Sequence, residues 1–250
     1  MTAVVKVGGN DLDDESFLAG LCTTLSSFSG PLVLVHGGGK EITSALAHYD
    51  QISRFVDGLR VTPPESMRIM EMVVCGTINK RLVARLGAAG VRAIGLSGVD
   101  LGLLRCVPYR PGGVNLGRVG AITQVDLAAL RAMIGLGWLP TLAPVALGEH
   151  DHLAYNVNAD HVAQAIAAAF SREERCELTF VSNVPGVILG GSVAPQLSAA
   201  AIAVAIDSGA ISGGMVPKVQ SALAALAAGV SAVRITNLVG FAGGGPTIVV

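Results

Sequence analysis

Two lysines stand where the surrounding sequence makes a positive charge unfavourable, and both lie beside glycine-rich backbone. Lys6 interrupts the apolar run Val4–Val7, and Gly8-Gly9 follow at once. Lys218 comes after Gly213–Pro217, where an Ala-rich helical stretch begins. A cation in the first turn of a helix is disfavoured by the helix dipole, by roughly 0.3 kcal/mol or more. Both lysines make better sense if a polyanion lies between them, so the pair predicts phosphate chemistry.

A third glycine-rich segment, Gly37-Gly38-Gly39, follows an apolar run and precedes a helical pattern. A strand, a glycine turn and a helix in this order present free backbone N–H groups and a positive helix end to an anion. The segment is not a Walker A loop, because Glu41 replaces the Ser/Thr and position 34 is not glycine. It also lacks the dinucleotide fingerprint, since Ile42 stands where the third glycine belongs. From the residues alone, an anion site and a plain tight turn are equally open.

Polar side chains gather in front of the helical stretch Ala159–Ser171. Asn158 suits the N-cap position, and Asp160 would lie in the first turn, where the dipole favours an acid. Helix capping would explain Asp160 fully. It does not explain Asn156, which lies outside the helix and is free to meet a ligand.

Arg60 lies between apolar residues in the segment 54–63. Its planar guanidinium suits bidentate binding of a substrate carboxylate, although spacing alone favours an exposed strand position or a salt bridge. The histidines around Asp151 are more typical of a polar turn than of a metal site. Ser182 follows a strand, but no G-x-S-x-G surrounds it, so a hydrolase elbow is not supported.

Along the whole chain, short β-branched runs alternate with Ala/Leu-rich helical stretches, which predicts a mainly parallel sheet covered by helices. Strands are predicted at Val4–Val7, Leu32–Val35, Ala93–Leu96, Leu139–Ala143, Leu178–Val181, Ala232–Thr236 and Thr247–Val250. Helices are predicted at Ser16–Phe28, Lys40–Tyr49, Pro64–Ala89, Val125–Leu136, Ala159–Ser171, Ala199–Ser208 and Pro217–Ala228. The segment Cys106–Ile122, rich in Gly and Pro, predicts turns or hairpins.

The amino-acid composition limits the classes of protein to which the chain can belong. The 250 residues are 51% hydrophobic and 14% charged with a net charge of −1, which argues against a nucleic-acid binder. No apolar run reaches the ~18–20 residues of a membrane span. Four cysteines without CxxC spacing fit a reduced cytoplasmic protein. We expect one domain over residues 1–250 with two lobes, an N-terminal lobe to about Pro144 and a C-terminal lobe from about Val145.

Taken together, these segments resemble the amino acid kinase family, most closely the members that phosphorylate N-acetyl-L-glutamate. Each string is modest, but seven in this order are highly specific. The match covers nearly the whole chain and includes Lys6–Gly9, His36–Gly39, Phe55–Thr62, Asn79-Lys80, Gly95–Asp100, Asn156–Asp160 and Gly213–Lys218.

The resemblance implies an α/β fold, a three-layer αβα sandwich around a mainly parallel sheet, as in carbamate kinase-like proteins. It implies an N-terminal lobe for the acyl amino acid and a C-terminal lobe for ATP. By motif, Lys6 and Lys218 would stabilise the phosphoryl group in transfer, and Asp160 would hold both lysines. Gly9, Gly37 and Gly38 would donate backbone N–H groups, beside Gly8, while Arg60 and Asn156 would grip acetylglutamate. The ATP side would include Asn183, Gly186, Gly213 and Met215.

Further implications concern cofactors and assembly. Mg²⁺ would arrive with ATP and be held largely by phosphate and water, with no dedicated protein site. No helix precedes Lys6, and arginine-inhibited hexameric members of the family have one, so the resemblance implies an arginine-insensitive homodimer. Asn183, where the family often has Asp, and a short C-terminal lobe are the main departures.

Alternative functions stay open at this point. The segments Met70–Gly76, Asn79–Arg81 and Ser182–Gly186 resemble equally well a related kinase for aminoadipate or glutamate linked to an acidic carrier protein. Against it, Gly58–Thr62 resembles the type that uses free acetylglutamate, and the net charge of −1 offers no docking field for an acidic partner. A non-catalytic sensor is disfavoured by the presence of Lys6, Asp160 and Lys218.

Overall fold

The computed structural model describes residues 1–213 and 215–250. Its strands are β1 Thr2–Val7, β2 Leu32–His36, β3 Phe55–Val56, β4 Leu59–Arg60, β5 Ala93–Ser97, β6 Leu104–Pro108, β7 Gly120–Val125, β8 Leu139–Ala143, β9 Val145–Gly148, β10 Ala154–Asn156, β11 Cys176–Val181, β12 Ile188–Leu189, β13 Ser192–Val193, β14 Gln196–Leu197, β15 Ala232–Thr236 and β16 Thr247–Val249.

The helices are α1 Gly9–Leu12, α2 Glu15–Ser26, α3 Gly39–His48, α4 Pro64–Glu71, α5 Asn79–Ala88, α6 Leu127–Gly135, α7 Ala159–Ser171, α8 Ala199–Asp207, α9 Met215–Ala227 and α10 Leu238–Gly243. A π-helical stretch, Met72–Ile78, joins α4 to α5, so the long helix predicted from Pro64 to Ala89 is confirmed with this interruption. Short 3₁₀ turns cover Asp100–Gly102 and Pro111–Gly113. Among the described residues, none of the helices has the length and apolar character needed to cross a membrane.

An eight-stranded sheet in the order β14-β16-β15-β11-β1-β2-β8-β5 forms the middle of the molecule. The six strands from β15 to β5 run parallel, and β16 with β14 runs antiparallel to them. The predicted mainly parallel sheet and its seven strands are confirmed. The edge strand β14 escaped prediction because two residues carry too little pattern to identify a strand.

Alternation along β1 places its side chains on opposite faces of the sheet. Val4 packs in the core cluster that contains Val162 and Ile166 of α7. Val5 and Val7 pack in the opposite cluster, with Leu21 of α2 and other residues of that face. Helices therefore cover both faces, as the three-layer prediction requires. Lys6 has the parity of Val4 and points to the side of α7.

A second sheet, in the order β10-β9-β6-β7, contains the hairpin β6–β7. The hairpin expected within Cys106–Ile122 is thus confirmed. The prediction missed β9 and β10, since β9 follows β8 after Pro144 alone and the two read as one apolar run. β10 ends at Asn156, directly in front of α7, and so delivers two polar residues of the predicted site to one place.

Candidate active site

A cleft of about 440 Å³ lies at the carboxyl edge of the large sheet, where β1, β2 and β11 end. Parallel α/β sheets bind ligands at this edge, and the volume is in the range of small-molecule sites. Three cations and two carboxylates line it, which suits an anionic ligand. Nine of the residues predicted from the sequence line this cleft: Lys6, Gly8, Gly9, Gly37, Gly38, Arg60, Asn156, Asp160 and Lys218.

The two glycine segments that follow β1 and β2 touch each other through their backbones. A Cβ placed on Gly9 would lie 2.4 Å from the Gly38 nitrogen, and one on Gly37 would lie 2.9 Å from the Gly9 nitrogen. No side chain fits at this crossing. The glycines are therefore required by close backbone approach, which brings both segments to the same wall of the cleft. The Gly37 N–H donates to Val7 O at 3.0 Å, so the prediction that it donates to a ligand is wrong.

Lys6 and Asp160 form the ion pair at the centre of the cleft, with 2.8 Å between Nζ and Oδ1. Asp160 Oδ1 is buried and accepts no hydrogen bond of regular geometry, so the lysine ammonium is its partner among the described residues. The Asn158 side chain accepts from the Asp160 backbone N–H at 2.8 Å and caps α7. Asn158 therefore caps α7 as predicted, and Asp160 in the first turn faces the cleft.

Lys218 lies in the first turn of α9 and points into the same cleft, but its direct partner is a hydroxyl. Its Nζ donates to Ser182 Oγ at 2.9 Å. Asp160 reaches α9 one turn further along, where its Oδ2 accepts from Ser221 Oγ at 3.3 Å. Burial lowers the pKa of Lys218, as does the Lys6 charge, whereas Asp11 and Asp160 raise it. Asp160 thus touches one of the two lysines directly and acts on the other through space.

Asp11 is a site residue that the sequence analysis missed. It lies in α1, lines the cleft, and its Oδ2 sits against the Gly8 backbone, 2.5 Å from where a Cβ would be. Burial raises the pKa of Asp11, and the charges of Lys218 and Lys6 oppose that rise. A possible signal was its place five residues after Lys6, directly beyond the glycine turn.

Arg60 ends strand β4 of the ribbon β3–β4 and is buried, with only 8% of its surface exposed. The ribbon turns through Asp57 and Gly58 at φ values of 48° and 77°, and an Asp-Gly pair is a hairpin signal that could have been recognised. The guanidinium stacks 4.7 Å above the Phe55 ring.

The guanidinium of Arg60 is also hydrogen-bonded on two sides. It donates to Ser53 Oγ, to Gly39 O at 3.1 Å and to Thr43 Oγ1 at 2.9 Å. Burial lowers its pKa. Arg60 is therefore a fixed cation in the wall of the cleft, and the surface interpretation that spacing favoured is wrong.

Asn156 is tied to the Arg60 strand through Thr62. Its Nδ2 donates to Thr62 Oγ1 at 3.0 Å, and this fully buried hydroxyl donates to Arg60 O at 2.7 Å. The two residues assigned to substrate binding thus belong to one hydrogen-bonded unit, although they lie far apart in the sequence.

A buried polar chain supports the Gly37 turn from below. His36 Nδ1 donates to Gly37 O at 3.0 Å, because a carbonyl can only accept. Its Nε2 then accepts from Asn79 Nδ2 at 3.0 Å, and the same amide group donates to Thr141 O at 2.9 Å. Burial lowers the pKa of His36 from 6.5 to about 4. The neutral imidazole is therefore fixed in one tautomer.

The residues assigned to the nucleotide are placed less closely together. Asn183 lines a hollow beside the cleft, with Ser182 and Asn237. Gly186 packs against Thr247, and Met215 packs on the core cluster. Gly213 precedes α9 at φ 57°, and Gly214, part of the same motif, lies outside the described residues. The nucleotide roles of these positions stay predictions.

The comparisons with known proteins agree on one family. A family model described as the amino acid kinase family matches residues 1–237. The chain is 60% identical over 246 residues to a protein named acetylglutamate kinase in Chloroflexus aggregans, which is 98% of this chain and 96% of that protein.

Solved structures show the same fold. The chain matches smu.665 from Streptococcus mutans with a TM-score of 0.78 and 26% identity, over 99% of this chain and 98% of that one. It matches the carbamate kinase of Giardia lamblia bound to AMP-PNP with a TM-score of 0.68 and 13% identity, over 100% and 98% of the two chains. The carbamate kinase-like architecture expected from the sequence is thereby confirmed.

Proposed function

The chain belongs to the amino acid kinase family, and from that premise we propose that it is an acetylglutamate kinase. It transfers the γ-phosphoryl group of ATP to the side-chain carboxylate of N-acetyl-L-glutamate, a step of arginine biosynthesis. The observation that carries this proposal is the cleft in which Lys6, Lys218 and the crossed glycine segments face a fixed Arg60. Identity of 60% over nearly the full length to a protein of that name supports the choice of substrate.

Phosphoryl transfer to a carboxylate requires positioning and charge neutralisation more than a general base. The accepting carboxylate is already ionised near neutral pH, so no side chain has to remove a proton from it. Lys6 and Lys218 lie where negative charge shifts during transfer, and the amides of Gly9 and Gly38 are fixed beside them, whereas the Gly37 N–H is used by Val7 O. Preorganised donors of this kind stabilise a transition state without reorganising. Asp160 keeps Lys6 in place through the ion pair at 2.8 Å.

The acceptor binds at the Arg60 end of the cleft. The guanidinium is held by Thr43 and Ser53 and stacked on Phe55, so its donors are oriented before the substrate arrives. We assign it to a carboxylate of acetylglutamate, since a planar fork matches that group. Asn156, connected through Thr62, contributes an amide beside it.

ATP occupies the side of the cleft next to Ser182 and Asn183. We assign this side to a C-terminal lobe that begins at about residue 145. Asn183, Gly186, Gly213 and Met215 border it in this proposal. Mg²⁺ enters with the nucleotide and neutralises phosphate charge. The half-buried Asp11 carboxylate fits that ion, because Mg²⁺ prefers one or two carboxylates together with phosphate oxygens, and Asp11 forms no ion pair among the described residues.

A cytoplasmic homodimer completes the proposal. All four cysteines are unpaired in the structure, and Cys22, Cys106 and Cys176 are buried. Buried thiols of this kind fit a reducing compartment. Analytical ultracentrifugation of the purified chain tests the dimer directly, and a monomer at micromolar concentration would remove that part of the proposal.

A coupled assay for ADP tests the function. We expect turnover with free N-acetyl-L-glutamate and none with L-glutamate, whose α-amino group is charged. Release of ADP only when glutamate or aminoadipate is linked to an acidic carrier protein would replace the proposal by the carrier-dependent alternative. The absence of turnover with either acceptor would contradict kinase activity altogether.

A further inference from the structure

The two lysines of the cleft have chemically different partners. Lys6 is paired with a carboxylate, Asp160, at 2.8 Å. Lys218 donates to the neutral hydroxyl of Ser182 at 2.9 Å. Among the described residues no carboxylate forms an ion pair with Lys218, so Asp11 and Asp160 influence it only from longer range.

Ser182 is well suited to fix the position of an ammonium group. It directly follows β11, only 7% of its surface is exposed, and its backbone N–H donates to Thr236 O at 3.0 Å. Its side chain therefore starts from a rigid point of the central sheet. Lys218 comes from a different element, α9, whose cleft-facing side is also held by the bond from Ser221 to Asp160 at 3.3 Å.

A hydroxyl partner differs from a carboxylate partner because it does not neutralise the charge of the lysine. An ammonium has three donors, and a bond to Ser182 uses one of them without neutralising the charge. The remaining donors and the whole positive charge of Lys218 stay available to phosphoryl oxygens. Lys6, in contrast, shares its charge with Asp160. An acidic residue at position 182 would make the two lysines alike and would oppose the anionic nucleotide.

We propose that Ser182 is a positioning residue for phosphoryl transfer, which holds the Lys218 ammonium in the cleft while leaving its charge uncompensated. The proposal rests on the kinase function assigned above. In this proposal the two lysines have different roles. Lys6 is fixed in the cleft and its charge is compensated by Asp160, whereas Lys218 supplies the net positive charge that binds the phosphoryl group.

Three substitutions of Ser182 distinguish the effect of the hydroxyl group from the effect of a negative charge at this position. Ser182→Thr keeps the hydroxyl and should retain kcat within about twofold of the unmodified enzyme. Ser182→Ala removes the acceptor and should lower kcat about tenfold, equivalent to roughly 1.4 kcal/mol, with the KM for acetylglutamate unchanged. Ser182→Asp should lower kcat by about a hundredfold or more and weaken MgATP binding measured by calorimetry, because it pairs with Lys218 and repels phosphate.

Ser97→Ala is the matched control. Ser97 ends the parallel strand β5 of the same sheet, is buried to a similar degree, and its hydroxyl donates to Asp100 Oδ2 at 2.8 Å outside the cleft. The control should keep kcat and MgATP affinity unchanged. It corrects for any general effect of losing a buried serine hydroxyl at a strand end.

The decisive comparison is made in a Lys218→Ala background. There, Ser182→Ala should change neither the residual kcat nor the MgATP Kd, because its partner is already gone. The same loss in both backgrounds would mean that Ser182 acts on the nucleotide directly and would overturn the proposal, as would a Ser182→Ala enzyme with normal kcat. Failure of the kinase function itself would be seen separately, as absence of turnover in the unmodified enzyme.

Discussion

The Lys6 ammonium and the Asp160 carboxylate meet at 2.8 Å, although one comes from the first strand and the other from the first turn of α7. The contact exists because Lys6 has the parity of Val4 along β1 and because β10 and Asn158 start α7 opposite that face. Two distant segments of the sequence, β1 and the stretch from β10 into α7, therefore combine to fix the Lys6 ammonium in the cleft.

Asp160→Asn should lower kcat about 10- to 100-fold, because Lys6 loses the carboxylate that orients it in the transition state. The KM for acetylglutamate should change little, since Arg60 and Asn156 are untouched. Steady-state kinetics checks both values. Asp126→Asn, which removes the capping carboxylate of α6 away from the cleft, is the control for losing an acid at a helix start. A normal kcat in Asp160→Asn would remove its assigned role.

Arg60→Lys should raise the KM for acetylglutamate about tenfold or more, with a smaller change in kcat. A lysine cannot reproduce the fork that bonds Ser53, Gly39 and Thr43 and also reaches the substrate. The KM for MgATP serves as an internal reference, and Arg54→Lys, at an exposed position beside the ribbon, is the matched variant. An unchanged acetylglutamate KM would place the substrate carboxylate elsewhere.

Gly9→Ala should destabilise the fold and impair activity together. The new Cβ would lie 2.4 Å from the Gly38 nitrogen and 2.6 Å from its Cα, so the two glycine segments must move apart. Gly87→Ala has open space around it within α5 and should instead stabilise the protein by about 0.5–1 kcal/mol. Thermal unfolding of both variants makes the comparison, and a Gly9→Ala protein as active and stable as its parent would contradict the close crossing.

Stability should fall with acidification partly because of His36. Its pKa is lowered by burial from 6.5 to about 4 in the folded protein, so only the unfolded state binds the proton between those values. The contribution is fully present above pH 6.5 and is lost as the pH falls toward 4, by roughly 3 kcal/mol in total. Denaturant unfolding across that window should show a shallower decline in His36→Gln, and parallel curves for the two proteins would show that His36 does not titrate as described.

Much of the architecture could be predicted because long segments carry a clear pattern. The seven principal strands are mostly apolar runs, of which β2 and β8 are buried along their whole length, and helices such as α7 have strong apolar periodicity. The short strands β10 and β14 were missed, because they are held by neighbouring segments and not by their own composition.

Some residues of the candidate site could likewise be predicted from the sequence and others could not. The lysines and glycines at unusual positions near Lys6, Gly37 and Lys218 are found in the cleft, because the strand ends and the helix start that carry them meet there. The burial of Arg60 was not predicted, because it depends on Phe55, Thr43 and Ser53, which come together only in the fold. The places of Asp11 and Ser182 in the site were not predicted, because each of them interacts with a lysine that comes from another element.

The central claim is that this cleft moves a phosphoryl group from ATP onto the side-chain carboxylate of free N-acetyl-L-glutamate, with Lys218 stabilising the group in transit. Trapping the acyl phosphate with hydroxylamine measures that event directly. We predict hydroxamate formation that requires both ATP and N-acetyl-L-glutamate, and a decrease of about a hundredfold or more in a folded Lys218→Ala variant. No hydroxamate from the unmodified enzyme, or an undiminished rate in Lys218→Ala, would contradict the account.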